Sequence, residues 1–188
     1  MRQFILTVAA LFLACAGLGL AGDEASAQSG RKIEDFYGHF AGQGLTSSGP
    51  GEDYTQDDRA SDVVVQAEGM GFSISWTTLQ VKPAQTALDP NESTIKAAVQ
   101  TFVPSPKPGV WYEQANGTIT DGKNFAWARI DGDTLVVTNV LLADDGSYDV
   151  TSYERTLTDA NHMKLRFTRF HNGDITRRVK ADLERQTD

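Results

Sequence analysis

The chain has 188 residues and a formal net charge of −8, with 25 acidic side chains against 17 basic ones and a single cysteine. An acidic balance argues against binding a nucleic-acid backbone, which needs a basic footprint. One cysteine allows no internal disulfide, so a domain of this length must rely on its apolar core.

The N-terminus reads as a secretory leader. Arg2 precedes an apolar run from Phe4 to Leu20, Asp23 and Glu24 end it, and Ala25-Ser26-Ala27 offers small residues at a cleavage site. The run is shorter than the roughly 20 apolar residues of a spanning helix and contains Gly17 and Gly19. Cys15 follows Ala14, as a lipid-modified cysteine would, but Phe12 and Leu13 do not fit that pattern; it reads as part of the apolar segment. Cleavage after Ala27 leaves residues 28–188 as one exported, cysteine-free domain of net charge −7, released to the periplasm or beyond.

After the leader, Ile33, Phe36, Tyr37 and Phe40 lie three and four residues apart, which predicts a short helical turn. Gly, Ser and Asp crowd the region from Ser47 to Asp58, which predicts a loop. Strands follow. Val63, Val65 and Ala67 alternate with polar residues, and Phe72 to Thr78 keeps a period of two after a Gly-containing turn. Ser93 to Val103 predicts another strand, stopped by Pro104, Pro106 and Pro108. Val110 to Gln114 and Asn124 to Asp131 come next. The remainder is a regular series: Thr134 to Leu142, Ser147 to Leu157, Met163 to His171 and Ile175 to Leu183, separated by Asp-, Asn- and Gly-rich turns. About nine or ten antiparallel strands, each joined to the next, predict an all-β up-and-down meander closed on itself.

This order resembles the lipocalin-like, or calycin, barrels: a short helical lead, the aromatic-glycine strand Phe36-Tyr37-Gly38-His39-Phe40, a long meander, and arginines on the last strand. In that family a first-strand Trp packs under a last-strand Arg at the barrel floor. The resemblance implies that Phe40 takes the Trp position here, with Arg177 or Arg178 as partner. Gly71 to Thr78, Ala126 to Ile130 and Tyr153 to Leu157 also resemble exported alphaproteobacterial proteins to which no activity is attached.

No catalytic motif emerges. His39, His162 and His171 have no metal-ligand spacing, and no cysteine joins them. The clusters Asp131-x-Asp133, Asp144-Asp145-x-x-x-Asp149 and Asp159-x-Asn161 coincide with hairpin turns and lack calcium-loop spacing. No serine sits in a nucleophile motif. Neither metal nor cofactor is implied, and the chain reads as a non-enzyme.

The aromatic residues carry the functional expectation. Trp76, Trp127, Tyr148 and Tyr153 fall within strands, Arg129 shares a face with Trp127, and Arg155 shares one with Tyr153. If these faces line the barrel, they form an apolar pocket with an inward cation, suited to a small apolar or amphiphilic ligand with an acidic head. On β-periodicity alone Ala126, Ala128 and Ile130 are an equally good inward set. The alternative function is a structural or interaction module of the cell envelope, recruiting a protein partner along an exposed strand edge.

Overall fold

The computed structural model describes residues 30–48, 55–82 and 92–187. The expected leader, 1–27, lies outside the described residues. A 3-10 turn, Ile33–Phe36, leads into ten strands: β1 Gly38–Ser48, β2 Thr55–Glu68, β3 Gly71–Lys82, β4 Glu92–Pro104, β5 Val110–Glu113, β6 Phe125–Asp131, β7 Thr134–Leu142, β8 Tyr148–Leu157, β9 His162–His171 and β10 Asp174–Arg185. Each strand pairs antiparallel with the next, and β1 pairs with β10 to close the barrel. The meander is thus the one expected, with ten strands. Of the loop expected from Ser47 to Asp58, Ser47 and Ser48 belong to β1 and Thr55 to Asp58 belong to β2; the rest of it lies outside the described residues.

Local chemistry sets the hairpins. Asn172 and Gly173 both have positive φ, 49° and 90°, the requirement of a tight turn whose twist matches its strands. Closure depends on β1: a Cβ at Gly42 would run into the Asp182 carbonyl oxygen of β10, and a bulge follows between Gly44 and Leu45. Such a bend helps an antiparallel sheet curl until its ends meet.

One end of the barrel is solid. Phe36, Phe40, Phe72, Phe102, Leu157, Met163 and Leu183 are all buried in one cluster. Phe72 stacks on Phe102 with centroids 5.1 Å apart and meets the edge of Trp111 at 5.4 Å. Rings of this size supply much apolar burial per residue, so the floor stabilises the fold.

Among the described residues, the pairing of β4 with β5 is short. Strand β5 pairs with β4 only at Phe102, Val103 and Pro104. From Glu92 to Gln100, β4 therefore has β3 on one side and no strand on the other among the described residues. Ser93 to Val99 are exposed on both strand faces. Side-chain amides bridge part of the gap: Gln100 donates to Asn139 of β7 at 2.6 Å.

Candidate ligand-binding site

Period-two alternation, once phased by the floor, decides what points inward. On β8 the inward set is Leu157, Arg155, Tyr153 and Thr151; on β9 it is Met163, Leu165, Phe167 and Arg169; on β10 it is Leu183, Ala181, Val179 and Arg177. The registers align these as rungs. Arg155 lies beside Leu165 and Ala181, then Tyr153 beside Phe167 and Val179, then Thr151 beside Arg169 and Arg177.

Above the floor these rungs enclose a cavity of about 380 Å³, within the range of small-molecule sites. Its middle is aromatic: Tyr153 lies 4.8 Å from Phe167 and 5.5 Å from Trp76, centroid to centroid. Its charge is basic in an acidic protein. Arg59, Lys96, Arg155, Arg169 and Arg177 line it, against Asp62 and Asp149, and low-dielectric walls focus such a field on an incoming anion.

Arg155 is the deepest of these cations. It is 1% exposed, its guanidinium lies over the Tyr153 ring at 5.3 Å, and its Nε and Nη1 have no hydrogen-bond partner. Burial pushes its pKa down to about 10, with Tyr153 acting weakly the other way. Burial raises the Tyr153 phenol, while Arg155 and Arg177 pull it back. Arg169, by contrast, is engaged: it donates two hydrogen bonds to Asp149, at 3.1 and 2.9 Å. These hold the Asp149 carboxyl below its ordinary range and raise Arg169.

Of the six residues expected to form the site, the barrel brings three together. Trp76, Tyr153 and Arg155 line the same cavity. Trp127 and Arg129 are on the outer wall, because Ala126 and Ala128 take the inward positions of β6 and are fully buried. Trp127 packs beside Phe125 at 6.2 Å, and Arg129 donates to Asp131 at 2.7 Å. Tyr148, at the start of β8, has the outward phase and is 39% exposed. Phe167 and Arg177 were not anticipated as site residues; Phe167 follows Met163 and Leu165 in a visible period of two.

The floor arginine also differs from the expected one. Phe40 pairs in register with Arg185, whose guanidinium covers the ring at 4.4 Å. Arg185 donates to the carbonyls of Ala160 at 2.8 Å, Asp35 at 3.3 Å and Tyr37. Arg177 and Arg178 pair with Ser48 and Ser47 instead, at the far end of β1 from Phe40.

Two solved structures share this architecture. The S-type phycobiliprotein lyase CPES of Guillardia theta matches with a TM-score of 0.53 at 9% identity, over 83% of this chain and 91% of that one. A protein of unknown function from the DUF3598 family of Nostoc punctiforme matches with a TM-score of 0.53 at 10% identity, over 84% of this chain and 50% of that one. The chain therefore spans about half the length of the second. At these identities the likeness is one of fold. No family model matches the sequence, and no curated protein does.

Proposed function

We propose that this is an exported, calycin-like carrier of the periplasm that binds a small amphiphile by its acidic head, without transforming it. The observation that carries this reading is Arg155. A buried cation with unpartnered donors is strongly disfavoured in an empty core, and an acid group entering the cavity would supply what the protein does not. Trp76, Tyr153 and Phe167 then offer the apolar body of the ligand an aromatic contact surface. A ten-strand barrel also encloses more room than an eight-strand one, which holds a single small ligand at most.

Decanoate, decanol and decylamine test this, titrated against tryptophan fluorescence, with Trp76 as the reporting ring. Saturable quenching by decanoate that is lost in Arg155→Met supports the reading. Equal response to all three, or to none, contradicts it. One protein of this fold is named a lyase, so the recovered ligand's mass should be read as well: an unaltered mass supports carriage, and a changed one supports catalysis.

The second reading, an interaction module, draws on the open edge of β4, where Ile95 and Val99 are 69% and 67% exposed. Unpaired strand edges are templates for another chain. It predicts a protein partner whose capture is lost when a proline is placed at Val99.

A further inference from the structure

Arg155 is not the only cation in the cavity with a buried, unpartnered donor. The Nε of Arg177 is also buried without a hydrogen-bond partner, and Arg177 lines the same cavity. The two arginines sit on either side of one rung. Arg155 is level with Ala181 through Leu165, Arg177 lies four residues further along β10, and Tyr153, Phe167 and Val179 occupy the rung between them. Four residues of strand separate the two positions by about 13 Å of backbone. Arg155 lies over the Tyr153 ring at 5.3 Å, on one side of that rung, and Arg177 is placed by register on the other.

The nearest alternative partner is already committed. Asp149 is the inward carboxylate at this level, and Arg169 takes both its oxygens, with His171 against it as well. Asp62 is held by His39 at 2.6 Å. Neither carboxylate is bonded to Arg155 or Arg177. Cation, aromatic and aliphatic rung, cation is the order met by a molecule lying along the barrel axis.

Resting on the binding reading above, we propose that the ligand is a bipolar dianion: an apolar body with one acidic group at each end, the inner on Arg155 and the outer on Arg177. A single-headed acid would leave Arg177 unmet. A polar dianion without an apolar middle would leave the aromatic rung wet.

The test uses α,ω-dicarboxylates of about six to twelve carbons against monocarboxylates of equal length, titrated on wild type, Arg177→Met, Arg177→Lys and Arg155→Met. The expected result is an optimum chain length at which the diacid binds at least tenfold more tightly than the monoacid. Arg177→Met should remove that advantage, so that diacid and monoacid of equal length bind alike, and Arg177→Lys should restore part of it. Thermal melting of each variant confirms that it is folded. Diacid and monoacid binding alike, with Arg155→Met still weakening both, overturns the dianion and leaves the single-headed carrier standing. No binding by either series overturns both.

Discussion

Two arginines in this barrel each cover an aromatic ring, and only one of them is satisfied. At the floor, Arg185 lies over Phe40 and donates to three backbone carbonyls. In the cavity, Arg155 lies over Tyr153 with Nε and Nη1 unpartnered. The first ties the 3-10 turn, the start of β1 and the β8–β9 turn together, which is a structural task. The second costs stability: burial pushes its pKa from the ordinary arginine value down to about 10, a penalty on the order of 3 kcal/mol at neutral pH. A stacked guanidinium is therefore uninformative by itself. Its remaining donors separate a structural clasp from a site awaiting its partner.

The sharpest way to break this comparison is to remove the clasp. Arg185→Met strands three carbonyls and should destabilise the fold by about 2–4 kcal/mol, visible in a urea melt. An unchanged midpoint would mean that Arg185 is as idle as a surface residue.

A smaller effect concerns pH. The folded pKa of Arg155 lies below its ordinary value, so the empty protein binds fewer protons than the unfolded chain from about pH 10 up to the ordinary arginine range. This group's penalty on folding is then full below pH 10 and relieved as pH rises through that window. Ligand affinity runs the opposite way. Decanoate binding should be flat near neutrality and fall as pH passes about 10, where Arg155 loses its proton and Tyr153 begins to gain charge above its own ordinary value. Calorimetric titration from pH 7 to 10.5 checks this, and an affinity that rises across that range contradicts it.

The smallest effect is a contrast on the outer wall. Arg129→Ala breaks only an exposed pair with Asp131 and should change stability by less than about 1 kcal/mol, with ligand affinity unaltered. Weakened binding in this variant would move the site to the outer aromatic face of Trp127.

That outer face shows where sequence reading stops. The β6–β7, β7–β8 and β9–β10 hairpins are legible because Gly132, Gly146, Asn172 and Gly173 stand where the turns need positive φ and the flanks alternate. The phase of β6 is not, because apolar residues stand on both its faces, Phe125 and Trp127 on one and Ala126, Ala128 and Ile130 on the other. Alanine goes inward at 126 and 128 since the interior is already filled from neighbouring strands; Trp111, directly beside Ala128, occupies the volume. Hydrophobicity favours the larger residue inside, and packing volume overrules it. Arg185 was hidden differently. Its partners are backbone carbonyls, which leave no pattern in the sequence, and only the register with Phe40 reveals it. Arg155 and Tyr153 were readable as a shared face, but the absence of a carboxylate opposite them is a property of the closed barrel.

The central claim is that Arg155 serves a ligand and not the fold, and the thermal stability of Arg155→Met measures it directly. Replacing an unpaired buried charge with an apolar side chain of similar length should raise the melting temperature of the empty protein, by about 1–3 kcal/mol in stability, while abolishing the stabilisation that decanoate gives the wild type. A variant that melts several degrees lower than wild type, and is still stabilised by decanoate, would show that the fold depends on Arg155 and the ligand does not.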